Sequence, residues 1–136
     1  LRKILVETLF ARMLEHAKQQ ADLVAAEQLP NVGWDVQVSQ IFQAFGEARY
    51  QEADPLMQRV VPKTMTYLDT EARAAAVWSL GYLYEGKSPE DLAKVLMERI
   101  ADISLTPSET SPFRDMCAVA IGRMKAESQL KRLRQK

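Results

Sequence analysis

The sequence predicts an all-α fold, and three observations predict it. Apolar residues recur at three- and four-residue steps in nearly every segment. Runs of β-branched residues alternating with polar ones, the mark of strands, are nearly absent. The 5 glycines and 6 prolines punctuate long stretches rich in Ala, Leu, Met, Gln, Glu and Arg, all good helix formers.

The first helix is expected over 2–28, with Val6, Phe10, Met13, Ala17, Ala21 and Val24 as its apolar stripe, widened by Leu5, Leu9 and Leu14. Leu29-Pro30-Asn31-Val32-Gly33 ends it. A second helix starts near Asp35 and buries Val38, Ile41, Phe42 and Phe45. A third opens at Asp54-Pro55, read as N-cap and first helical residue, and carries Leu56, Met57, Val60, Val61, Met65 and Leu68. Pro62 predicts a kink or an early stop inside it.

The fourth helix is expected over 70–85, with Ala76, Val77, Leu80, Leu83 and Tyr84 inward and Gly86 as C-terminal cap. Ser88-Pro89-Glu90-Asp91 opens the fifth, whose apolar side is Leu92, Val95, Leu96 and Ile100, with Arg99 snorkelling. Residues 103–111 read as a loop, and Ser111-Pro112 starts a sixth helix running to Met124. Ser128 is placed as the cap of a short last helix, ahead of a basic tail ending at Lys136.

At 136 residues the chain suits one domain with one continuous core. Lys+Arg and Asp+Glu are equal at 18 each, so there is no global pull toward nucleic acid or an anionic membrane. One cysteine excludes an intramolecular disulfide and fits a reducing compartment, so the cytoplasm is the expected location. No apolar run is long enough for a membrane-spanning helix, and the opening residues turn polar too soon for a signal peptide. The chain begins with Leu, which leaves open whether it is a piece of something longer, with further domains or a targeting signal outside it.

Laid over one another, the helices reveal an internal repeat. Arg73-Ala74-Ala75-Ala76-Val77-Trp78-Ser79-Leu80-Gly81 matches Arg114-Asp115-Met116-Cys117-Ala118-Val119-Ala120-Ile121-Gly122 at an offset of 41 residues. Arg meets Arg, Ala76 meets Cys117, Leu80 meets Ile121, and Gly81 meets Gly122. Val38 through Gly46 aligns with the same helix at an offset of 35 residues, keeping the apolar positions and the glycine but not the arginine. Asp54-Pro55 and Ser88-Pro89 follow their glycines at similar distances. Gly81 is read as a close-packing residue, because Tyr82-Leu83-Tyr84 continue the helix. For Gly46, close packing and helix termination stay open.

Asp69-Thr70-Glu71-Ala72-Arg73, followed by Ala74-Ala75-Ala76 and Leu80-Gly81, resembles the HEAT-like (armadillo-type) helical repeat pattern Asp-x-x-(apolar)-Arg-x-x-Ala-x-x-x-Leu-Gly. Arg114 through Gly122 is a looser copy, and 36–68 is the weakest. The resemblance covers roughly 35–135, divided into approximate repeats 35–68, 69–103 and 111–135, and leaves 1–29 as a separate N-terminal helix. It implies a short right-handed α-solenoid of antiparallel helix pairs, about three repeats, preceded by that long helix. It also implies that Asp69, Arg73, Leu80, Gly81, Arg114, Cys117, Ile121 and Gly122 are structural repeat positions. Asp69 and Arg73 are implied to cap and to join a cross-repeat ionic ladder.

Little in the chain points to catalysis. His16 is the single histidine, too few for a zinc site with Cys117 a hundred residues away, and it reads as part of a solvated face. There is no Gly-x-Ser-x-Gly elbow and no phosphate-cradling glycine loop. Cys117 reads as a buried small hydrophobe, the alternative being a thiolate activated by nearby Arg114. Glu47, Glu52 and Asp54, with Glu85, Glu90 and Asp91, read as solvated helix ends. No metal or cofactor is expected. The basic residues from Lys125 to Lys136 read as a polar end or a linker, with nucleic-acid binding as the weaker alternative.

The function these readings imply is a non-catalytic protein-interaction or scaffolding module with a protein or peptide partner. The alternative is a regulatory or accessory domain of a larger enzyme. Trp78 and Tyr82 stand four residues apart, off the main apolar stripe of the fourth helix. Two readings are open for them: packing against a neighbouring element, or an exposed anchor for a partner.

Overall fold

The computed structural model describes residues 2–25, 34–62, 70–87, 89–102 and 109–124. Among them the secondary structure is wholly helical, with no strand. The helices are α1 (Arg2–Ala25), α2 (Trp34–Ala48), α3 (Asp54–Arg59), α4 (Thr70–Leu83), α5 (Glu90–Ala101) and α6 (Ser111–Met124). A 3-10 turn over Gln51–Ala53 leads into α3. No helix of the described residues is long and apolar enough to cross a membrane.

Helix α4 is the middle of the molecule. It packs on α2 at one side and on α6 at the other, while α3 packs on α4, α5 packs on α6, and α1 touches α2. Its sequence explains the position. Ala72, Ala75, Ala76, Val77, Leu80 and Leu83 are all buried, so α4 is apolar around most of its circumference and needs cover on several sides. The core runs continuously from Leu14 and Ala17 of α1 through Phe42, Met57 and Leu80 to Leu96, Phe113 and Ile121.

Close contacts at two glycines set the spacing of the α2–α4–α6 row. Gly46 lies inside α2, against Ser79 of α4; a Cβ there would come within 2.7 Å of the Ser79 Cα. Gly81 of α4 meets Ala120 of α6, where a Cβ would stand 3.3 Å from the Ala120 Cα. Ser79 also donates its hydroxyl to the Phe42 carbonyl, tying α4 to α2. Close packing is therefore the role of Gly46. Helix α2 ends two residues later, where Arg49 takes a left-handed φ of 51°. There the Tyr50 N–H donates to the Phe45 carbonyl at 2.9 Å and the Arg49 N–H to the Gly46 carbonyl at 3.1 Å. That pair of bonds is the Schellman closure, with an arginine where glycine is usual.

Several expected boundaries move. Asp54 is the first residue of α3, and Ala53, at the end of the 3-10 turn, is the N-cap. The Asp54 carboxylate bonds sideways instead, accepting from the Tyr84 hydroxyl at 2.6 Å and the Gln58 amide at 2.8 Å. Helix α3 stops at Arg59, ahead of Pro62, whose ring disfavours helical backbone at Val61. Pro89 is the N-cap of α5, its ψ of 117° being extended, so the helix begins at Glu90. Helix α4 ends at Leu83, and Gly86 makes the following turn with a φ of +74°. In α1 the buried stripe starts at Phe10; Leu5, Val6 and Leu9 are 63%, 45% and 57% exposed. Met65, Leu68, Asp69, Ser88, Ser128 and the basic tail lie outside the described residues.

Candidate protein-interaction groove

A groove of about 730 Å³ crosses the row of three helices. Helix α4 supplies its floor through Glu71, Ala74, Ala75 and Trp78, spaced i, i+3, i+4, i+7, which is one helical face. Helix α2 adds Gln43 and Glu47, and α6 adds Pro112 and Met116, each pair one turn apart on its helix. The small side chains of Ala74 and Ala75 leave the depression, and the Trp78 indole bounds it. Glu47 and Glu71 are exposed, and no basic residue lines the groove among the described residues.

Trp78 and Tyr82, paired in the sequence, part company here. Their rings meet edge to face at 4.6 Å, and both are half-buried. Trp78 lines the groove; Tyr82 does not. The Arg123 guanidinium of α6 sits 4.1 Å from the Tyr82 ring centroid, and that of Arg49 sits 5.7 Å away. Arg49 is also paired at 2.7 Å with Glu85. Tyr82 thus stands behind Trp78, held by cations from the neighbouring elements.

The charged residues beneath the groove are structural. Arg73 is buried and points away from the groove, donating to the carbonyls of Val60 at 3.0 Å and Val61 at 2.7 Å, just past the end of α3. Its guanidinium forks onto the Glu109 carboxylate, with both bonds at 2.7 Å, and stacks 4.1 Å from the Phe113 ring centroid. Arg99 adds a bond to Glu109 at 3.2 Å and one to Asp102 at 3.3 Å, so it is tied down, where snorkelling was expected. Burial alone would raise the Glu109 carboxyl; Arg73 and Arg99 outweigh it and hold it below its ordinary value. Arg114, at the aligned position, donates from Nε to the Ile100 carbonyl at 2.7 Å, near the end of α5.

Glu109 escaped the sequence reading, which placed it in a loop. Its only signal was an acidic residue just ahead of the Ser111-Pro112 helix start. Asp69, the acid implied by the repeat pattern, lies outside the described residues. The groove has a signal in the sequence, the spacing of Glu71, Ala74, Ala75 and Trp78, but Ala74 and Ala75 enter the sequence analysis only as part of the repeat pattern.

The remaining candidates resolve locally. Leu80 and Ile121 are fully buried core residues. Cys117 is completely buried, and burial pushes its thiol up to about 12, so it stays protonated and shielded near neutral pH. Tyr84 is likewise raised to about 12, by burial and then by its bond to Asp54. His16 is exposed. Among the described residues, no group of three or more His, Cys, Asp or Glu side chains is placed to hold a metal ion. Comparison of the chain with protein families, with curated proteins and with solved structures finds no match.

Proposed function

We propose that this chain is a protein-interaction module built from HEAT-like repeats, with no catalysis of its own, and that the α2–α4–α6 groove is its binding surface. The observation that carries this reading is the makeup of the groove, to which α2, α4 and α6, the three helices whose sequences align with one another, each turn one face. A surface assembled in this way is what a short right-handed solenoid of antiparallel pairs offers a peptide or a protein domain.

Two parallels support the repeat assignment. Arg73 and Arg114, 41 residues apart, each bond a backbone carbonyl at the end of the preceding helix. Gly46 packs on Ser79 and Gly81 packs on Ala120, and Ser79 and Ala120 are themselves 41 residues apart. The same contact is made at both joints of the row.

The test is selection of ligands from a random peptide library on the purified chain. Binders should compete with one another and lose affinity in Trp78→Ala, while the variant keeps its helical circular dichroism. With Trp34 replaced by Phe, they should also shift the emission of Trp78. A library that yields only ligands indifferent to Trp78→Ala would refute the groove as the binding surface.

A further inference from the structure

We propose that the groove takes a cationic, partly apolar peptide segment, seating a lysine or arginine side chain against the Trp78 indole with Glu47 and Glu71 as its counter-charges. This rests on the reading of the groove as the binding surface and adds the chemistry of the partner.

Charge complementarity carries it. The whole chain has a formal net charge of zero, yet among the described residues the groove carries two carboxylates and no cation. Among the described residues neither carboxylate is held by another: the ion pairs there use Glu85, Asp22, Glu109 and Asp102. Their place on two adjacent helices matters, because Glu47 comes from α2 and Glu71 from the first turn of α4. A cation entering the groove meets negative charge from the α2 side and from the α4 floor.

The aromatic group adds an independent preference. Among side chains, indole is the strongest partner for a cation at its face. Among the described residues Trp78 is the one lining aromatic; Tyr82, one turn along α4, already has Arg123 and Arg49 against it, whereas no described cation sits on the Trp78 ring. The rest of the lining is apolar or neutral: Ala74, Ala75, Pro112, Met116 and Gln43. Such a floor accepts an aliphatic side chain beside the cation. A polyanion or an acidic peptide would place its charge against Glu47 and Glu71, which opposes binding.

Three labelled peptides of one length test it, pairing leucine with lysine, with serine or with glutamate, read by fluorescence anisotropy. The lysine peptide should bind most tightly and weaken with added salt. The double variant Glu47→Gln/Glu71→Gln should bind it about tenfold more weakly, as expected for two rim charge pairs. Removing the same charge elsewhere, in Glu15→Gln/Glu98→Gln, should leave its affinity unchanged. Equal loss in both double variants would mean diffuse attraction and would overturn the proposal. If the serine peptide binds as tightly as the lysine peptide and both need Trp78, the groove is a binding site but the cationic assignment is wrong. If none of the three shows Trp78-dependent binding, the cationic assignment falls, and the library selection alone then decides whether the groove binds at all.

Discussion

Arg73 and Arg114 make the same kind of bond in two surroundings. Each reaches from the start of a helix to a carbonyl at the end of the helix before it. Arg73 is only 6% exposed and needs Glu109 and the Phe113 ring to complete its coordination. Arg114 is half-buried and shows no carboxylate partner among the described residues. A charge in the interior must be paired and hydrogen-bonded, whereas one near the surface can leave part of its solvation to water. The arginine at the α3–α4 joint is therefore buried and charge-paired, whereas the one at the α5–α6 joint keeps part of its solvation. The two should respond very differently to mutation and to pH.

Removing the counter-charge from the buried arginine should have the largest effect. Glu109→Gln leaves the Arg73 guanidinium buried with only carbonyl acceptors, and breaking such a pair costs about 3–5 kcal/mol. Urea unfolding would measure it. Arg114→Ala, which removes one charge-assisted bond at a wetter site, should cost about 1.5–3 kcal/mol or less. The pH dependence has a definite sign. The folded Glu109 carboxyl sits below its ordinary value. Its contribution is thus complete above the unfolded value, near about 4.3, and is lost as pH falls through the folded one. The unfolding midpoint of the parent should drop across that acidic window, and Glu109→Gln should flatten this part of the profile. Equal losses for Glu109→Gln and Arg114→Ala would erase the contrast between the joints.

The glycines sharpen the comparison on a second axis. At Gly46 an added Cβ would lie within 2.7 Å of the Ser79 backbone, which cannot swing aside as a side chain tip would. Gly46→Ala should destabilise by about 1–3 kcal/mol through overpacking, despite alanine's helix preference of about 1 kcal/mol. Thermal unfolding checks this, and an unchanged midpoint would mean that α2 and α4 have room to separate.

How much of this was legible beforehand differs between apolar and polar residues. The helices, the buried Phe42, Leu80, Cys117 and Ile121, and the helix-interior position of Gly81 follow from periodicity, because burial of a helical face is a local pattern. Glu109 does not. Its partner Arg73 is 36 residues away in the chain, and no local rule tells a buried loop carboxylate from a solvated one. The caps failed for a related reason. Asp54 has the composition of an N-cap, but a 3-10 turn enters α3 from upstream and its carboxylate is claimed by Tyr84 from another helix. For Trp78 and Tyr82, spacing placed both on one face correctly. Which of them faces the groove depends on Arg123 and Arg49, contributed by α6 and by the turn after α2.

The smallest expected effect lies at the far side of the row. Gly122 aligns with Gly81, yet it is exposed and a Cβ there would meet nothing within 4 Å among the described residues. Gly46 and Gly81 have a helix against them; Gly122 has only the conformational cost of glycine in a helix. Removing that cost is worth about 0.5–1 kcal/mol in a helix interior. Gly122 stands two residues before the end of α6, where fraying reduces the gain. Gly122→Ala should therefore stabilise, by no more than about 0.5 kcal/mol given its position near the helix end. The sign is what matters, since the same substitution is expected to destabilise at Gly46. A Gly122→Ala variant that unfolds at lower urea than the parent would show that another surface presses on α6 there as Ser79 presses on Gly46, and the two sides of the row would then be alike.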